Sequence, residues 1–234
     1  MNSKKDIYKL PPGSTDHYTA YVGPPSHWDI KAAMQFRLLC AFGLRENHTL
    51  LDFGCGSLRA GRLFIPYLLP EKYFGLDPNK WLIDDSIKNE VGNDLIEIKK
   101  PKFFYNDDFK CPSDVEKFDF ILAQSICSHA AEDLVDKILS EFSTAIKDDG
   151  VILMTFVLKE KYPKIYKPDQ KGWIYPGCAS HAEETLATLF MKYRLHYKKL
   201  KWEHTFQTWF VLSRDARKIP SDDKNLEFTG GTYL

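Results

Sequence analysis

Two hydrophobic rhythms alternate along the chain. Short, nearly continuous apolar runs read as buried strands: TLLDF (49–53), YFGLD (73–77), KFFY (102–105), FDFILA (118–123) and VILMTFV (151–157). Between them, apolar positions recur at helical spacing. This predicts helices over Leu58–Leu68, ending before Pro70, over Asn79–Val91, and over Glu132–Ile146, the last stopped by a turn at KDDG. Upstream, Pro11, Pro12, Gly13, Gly23, Pro24 and Pro25 break residues 1–25 into loops. Ser26 reads as an N-cap with Asp29 three residues on. Trp28, Ala32, Phe36, Leu39 and Phe42 then line a helix that Gly43 closes. Downstream, residues 158–180 interrupt the rhythm, and Ser180 is expected to cap a helix reaching about Arg194. HYKKLKW and TWFVLS are expected to pair as antiparallel strands, and 215–234 to be weakly structured.

Strands alternating with helices through short connections predict an α/β, doubly wound, Rossmann-like sheet of seven strands. It is mostly parallel, with a C-terminal antiparallel hairpin. The expected organisation is an N-terminal extension and helix (1–48), a core domain (49–214) and a tail (215–234). Ligands of such folds bind at the carboxyl ends of the strands, so chemistry is sought there.

Composition narrows the options. The chain has 234 residues, and 32 Lys+Arg balance 32 Asp+Glu. Zero net charge argues against a dedicated nucleic-acid binder. No signal-peptide pattern opens the chain and no apolar run suffices for a membrane span, so a cytoplasmic protein without membrane attachment is expected. Five cysteines without a CxxC pair, and histidines without HxxxH spacing, predict reduced thiols and no metal site.

The densest chemical signal is LLDFGCGSLRAG (50–61). Asp52 lies at the end of a strand, then Gly54, Cys55 and Gly56 form a turn where backbone can approach a ligand closely. Position 59 is arginine where a G-x-G-x-x-G dinucleotide loop needs glycine, which disfavours NAD. Asp77 ends the next strand, 25 residues after Asp52, where a carboxylate accepts hydrogen bonds from ribose hydroxyls. Asp107 and Asp108 follow the third strand, placed either to meet an adenine amino group or as a solvated turn. Arg59 is a candidate partner for a ligand carboxylate. Gln124 and Ser125 leave the fourth strand at the binding edge. His129 just beyond is the leading general base, ahead of Tyr21 and His181, with a structural role as its alternative.

In order, LLDFGCG, YFGLD, KFDFILAQSICSHA and KDDGVILMTF resemble the class I S-adenosylmethionine (SAM)-dependent methyltransferases, over about Thr49 to Arg214. The likeness is strongest to bacterial small-molecule enzymes with a GCGSLR glycine loop. The resemblance implies SAM as cofactor. Gly54 and Gly56 would border its methionyl part, and Asp52 would orient the loop or hold the amino group. Asp77 would hold the ribose, and Asp108 with Phe109 the adenine. Leu58 stands where the family's third glycine would be, and the segment between the third and fourth strands is short for a helix. Resembling enzymes also tend to carry a His…Gln pair where His204 and Gln207 fall.

The expected reaction is metal-independent methyl transfer to a small-molecule acceptor, first a hydroxyl oxygen of an anionic, sugar-like metabolite. Nitrogen methylation and a non-catalytic SAM-binding module are the alternatives. The anionic preference rests on the 158–180 insertion. There Lys159, Lys161, Lys164, Lys167 and Lys171 interleave with Tyr162, Tyr166, Trp173 and Tyr175, as a substrate lid or a solvated loop. Tyr18 and Tyr21 are candidates to cover the cofactor from the N-terminal side. Oligomeric state is not legible.

Overall fold

A computed structural model describes residues 6–113 and 115–227. The elements in chain order are α1 (Tyr18–Tyr21), α2 (Trp28–Ala41), β1 (Leu50–Phe53), α3 (Gly61–Tyr67), β2 (Tyr73–Leu76), α4 (Lys80–Ser86), α5 (Asn93–Lys99), β3 (Lys102–Phe104), β4 (Phe118–Ala123), α6 (Glu132–Ala145), β5 (Ile146–Leu158), β6 (Ser180–His181), α7 (Glu183–Lys192), β7 (His196–Lys199), β8 (Thr208–Ser213) and α8 (Asp222–Glu227).

The chain divides into two compact units. One holds the described residues up to Asn47 together with Cys55–Tyr105; the other holds His48–Gly54 and the described residues from Asn106 on. In the first, β2 and β3 pair in parallel, Phe74 opposite Lys102 and Leu76 opposite Phe104. In the second, β1 runs parallel to β4 and β4 to β5, whereas β8 runs antiparallel to both β5 and β7. β4 and β8 are buried along nearly their whole length, which is why they are apolar without alternation. The class is the mixed α/β, Rossmann-like one that the alternation predicts, with a C-terminal antiparallel hairpin. A short extra strand, β6, pairs with the end of β5.

Several local expectations are corrected. The chain enters α2 through a 3-10 turn at Pro25–His27, so His27, not Ser26, precedes the helix. Gly43 does close it, at φ +94° with its N–H on Cys40 O. The first core helix starts at Gly61 rather than Leu58, because Leu58 itself adopts a left-handed φ of 51°. The predicted helix over 79–91 is α4 followed by a π turn at Ile87–Val91, and α5 was not foreseen. KDDG does not end in a turn: β5 runs through it as a bulge, with register shifting between Phe118 and Phe120 on β4. Ser180 lies in β6, and α7 begins at Glu183 behind Ala182. The tail forms α8, and Asn225 fastens it by donating to Lys199 O (2.9 Å) and accepting from Lys201 N (3.2 Å). Residues 228–234 of that tail lie outside the described residues.

Candidate functional site

In the first unit the glycine loop is held by the acid at the end of β2. Gly56 N donates to Asp77 Oδ2 at 3.0 Å, and Cys55 N to Leu76 O at 3.1 Å. Gly56 sits at φ +51°, and a Cβ there would stand 2.8 Å from Val22 Cγ1. A side chain here would add backbone strain and push against Val22. Leu58 takes a strained, left-handed φ of 51°. Its side chain is wholly buried, and that anchorage offsets a cost of about 1–2 kcal/mol.

Asp77 is 8% exposed. Its other oxygen accepts from Asn79 N (2.9 Å) and Asn79 Nδ2 (3.0 Å). Burial pushes its carboxyl above the usual range, and the bonds from Asn79 and Gly56 oppose that rise. Three of about four acceptor sites on the carboxylate are filled. One further donor is accommodated, where the sequence suggested room for two ribose hydroxyls.

Arg59 lies in the turn before α3, not on the helix, and its Nη1 donates to Val22 O at 3.0 Å. Tyr21 packs edge-on to Trp81, with ring centroids 5.5 Å apart. Burial, then the charge of Asp77, raises its hydroxyl's pKa. Tyr21 is thus a poor base near neutrality, which removes it from that role.

The second unit gathers the other predicted residues. Asp52 is buried on β1 beside Leu122. At Gly54, φ +76°, a Cβ would meet Ile126 Cδ1 at 2.1 Å. Asp108 pairs with Lys110 at 3.1 Å, and that bond holds its carboxyl below the usual range. Phe109, at φ 61°, packs its ring 6.4 Å from Phe53 and 5.4 Å from Trp173. Gln124 is buried, its side-chain amide 3.3 Å from His204 Nε2.

Past Gln124 the chain makes a polar circuit. Ser125, at φ 63°, donates its N–H to Thr155 Oγ1 (2.8 Å). Thr155 donates to Gln207 Oε1 (2.5 Å), and Gln207 Nε2 donates back to Ser125 Oγ (2.9 Å). His204 Nδ1 accepts the N–H of Gln207 at 2.9 Å. Sequence reasoning noticed His204 and Gln207 but missed Thr155. The available signal was a hydroxyl inside the otherwise apolar run VILMTFV.

His129 is sewn to the insertion. Its Nδ1 lies 2.6 Å from Gly177 O, so Nδ1 carries the proton and Nε2 keeps its lone pair. Its ring meets Trp173 and Tyr175 edge-on at 5.6 and 5.1 Å. Ala131 N donates to Gly172 O and Ile174 N to His129 O, fixing that strip of backbone against residues 129–131. Burial lowers the imidazole's pKa, with the Gly177 carbonyl opposing. His181, by contrast, is 1% exposed, with Nε2 3.0 Å from Cys127 O. It is a core residue, and its place as a reserve base is withdrawn.

The insertion's lysines are not one group. Lys159 lies 4.3 Å from the centre of the Tyr166 ring, and Lys161 donates to Thr208 Oγ1 at 3.1 Å. Lys164, Lys167 and Lys171 are exposed.

Residues 51–152 match the family model of a methyltransferase domain. That match and the Rossmann-like fold make the chain similar to the class I, SAM-dependent methyltransferases. Among curated proteins it is similar to the uncharacterized protein YmfD of Escherichia coli K12. Identity is 29% over 157 residues, 63% of this chain and 70% of that one. Among solved structures it resembles the PH0226 protein of Pyrococcus horikoshii, with a TM-score of 0.62, 17% identity and 91% and 100% of the two chains covered. It also resembles the SAM-bound magnesium protoporphyrin IX methyltransferase of Synechocystis, with a TM-score of 0.60, 12% identity and 90% and 88% coverage. A third likeness is to the glycopeptide N-methyltransferase MtfA, with a TM-score of 0.57, 8% identity and 79% and 90% coverage. Among the described residues, no helix is long and apolar enough to cross a membrane.

Proposed function

We propose that the chain is a SAM-dependent methyltransferase that acts on a small-molecule acceptor at oxygen, on a hydroxyl of an anionic, sugar-like metabolite, with His129 as general base. The observation that carries this reading is the fixed tautomer of His129. Its Nδ1–H is committed to Gly177 O, leaving a lone pair on Nε2 of a ring that Trp173 and Tyr175 meet edge-on. Burial keeps the ring neutral at physiological pH, ready to accept a proton. As Nε2 takes the acceptor's hydroxyl proton, the Gly177 carbonyl stabilises the imidazolium that forms. The aromatic faces suit the apolar face of a sugar ring. The exposed Lys164, Lys167 and Lys171 supply positive charge for an anionic substituent.

SAM supplies an electrophilic methyl group on a sulfonium. We assign Gly54, Cys55 and Gly56 to backbone contact with it, and Asp77 to its ribose. Asp52, Arg59, Asp108, Phe109 and Gln124 complete the assignment. The fit of Asp77 is supported by its spare acceptor site: a buried carboxylate with raised pKa gains from one more hydroxyl donor. The N-terminal segment is assigned as a cover, because Val22 closes on Gly56 and Tyr21 on Trp81. Residues 158–180 are assigned as the lid over the acceptor.

The test is methyl transfer from labelled SAM to a panel of carboxylated, phosphorylated and neutral hydroxylated metabolites, with the product atom located by NMR. Label on oxygen of an anionic member is expected. Label only on nitrogen would sink the oxygen assignment, and turnover of neutral members alone would sink the anionic one.

A further inference from the structure

The buried face of α2 carries polar groups whose partners are missing. Trp28, Lys31 and Gln35 follow one another at i, i+3 and i+7, which places them on one stripe of the helix. Trp28 is 7% and Gln35 4% exposed. Even so, Trp28 Nε1 and Gln35 Oε1 meet no hydrogen-bond partner among the described residues. Each such group left unpaired costs about 1–3 kcal/mol.

Lys31, between them, is half-buried and forms no ion pair with any described residue. Burial, and then the charge of Arg59, bring its ammonium down to about 8. The acids of the same unit that the neighbouring residues reach are already occupied. Arg62 holds Asp29 at 2.5 Å and Glu90 at 3.8 Å, and Glu90 also accepts from Tyr18 Oη at 2.7 Å. Asp77 is taken up by Gly56 and Asn79. The fold thus half-buries a cation beside another cation and leaves hydrogen-bonding groups unmatched on both sides of it along the helix. A purely structural helix face has no use for that arrangement, because methionine or leucine at these positions would pack at lower cost.

We propose that Lys31 is the charged centre of an oxyanion-binding site, completed by Arg59 and by the Trp28 indole N–H and Gln35 side-chain amide. The oxyanion is a carboxylate or a phosphate. The site deepens the cofactor and acceptor reading above and rests on it for the source of that anion, either the methionyl carboxylate of the cofactor or the acid group of the acceptor. Gln35 suits either, since its amide presents a donor or an acceptor by turning over.

The experiment uses the full chain and calorimetric titration of three probes. These are S-adenosylhomocysteine, 5′-methylthioadenosine (which keeps the adenine and ribose but has no carboxylate) and inorganic phosphate. Lys31→Met is expected to weaken one of the two anionic probes by about tenfold or more, and Lys31→Arg to recover most of the loss. Weakened S-adenosylhomocysteine with unchanged 5′-methylthioadenosine assigns the anion to the cofactor. Unchanged S-adenosylhomocysteine with lost phosphate binding assigns it to the acceptor. Lys31→Met that binds both anionic probes like the wild type overturns the proposal. A wild type that takes neither nucleoside defeats the cofactor reading instead, and phosphate alone then decides. Folding supplies an independent readout. Without ligand, Lys31→Met is expected to raise the unfolding midpoint, because it removes a desolvated charge. A lowered midpoint would show the lysine already satisfied within the fold, and that too overturns the site.

Discussion

Asp77 and His129 are shifted in opposite directions by one electrostatic cause. Burial raises the carboxyl of Asp77 and lowers the imidazole of His129, so in each case desolvation resists the charged form. The responses differ. Asp77 is steadied by close sequence neighbours and the glycine loop, through three N–H donors that favour its anion. His129 is steadied by one carbonyl 48 residues away, and that bond selects a tautomer. On the proposed reading, Asp77 accepts hydrogen bonds from the cofactor, and His129 is a neutral base that becomes charged only as a proton arrives.

The largest expected effect breaks the second half of that contrast. His129→Ala should lower turnover roughly 100- to 10,000-fold with S-adenosylhomocysteine affinity near wild type. Steady-state rates alongside calorimetry separate the two. Full activity would return His129 to a structural role. The same residue sets a pH dependence. Its neutral form is the active one and its pKa is lowered, so kcat/KM should stay level as pH falls through the ordinary imidazole value of about 6.5. The acid limb should appear only below that. A limb at or above it would contradict the burial argument.

Next is the polar circuit of Ser125, Thr155 and Gln207. Thr155→Val keeps the shape but leaves Gln207 Oε1 and the Ser125 N–H unpaired beside a wholly buried side chain. A loss of about 1–3 kcal/mol in denaturant unfolding is expected, with cofactor affinity unchanged. A stability equal to wild type would mean the circuit contributes nothing. The smallest effect concerns the lid: neutralising Lys161, Lys164 and Lys167 together should raise acceptor KM a few-fold, less at high salt, and leave SAM binding alone. An unchanged KM would make the insertion a solvated loop.

What was legible in the sequence follows the same division. Asp77 could be found because its partners are local, an acid at a strand end with glycines upstream. The surroundings of His129 could not, because Trp173, Tyr175 and Gly177 reach it from a distant insertion whose aromatics showed no periodicity. Leu58 misled the start of α3: it is a good helix former by composition, yet tertiary burial holds it left-handed. KDDG has the composition of a turn, but the ladder to β4 absorbs it as a bulge. Helix α5 escaped notice because none of its residues is buried, so no apolar stripe marks it.

The central claim, a cofactor held through the carboxylate at the end of β2, is tested most directly by titrating S-adenosylhomocysteine into the wild type and Asp77→Ala. The account expects the folded variant to bind more weakly by about 1.5–3 kcal/mol, the range for a hydrogen bond to a charged group. Equal affinity in a folded Asp77→Ala would contradict it.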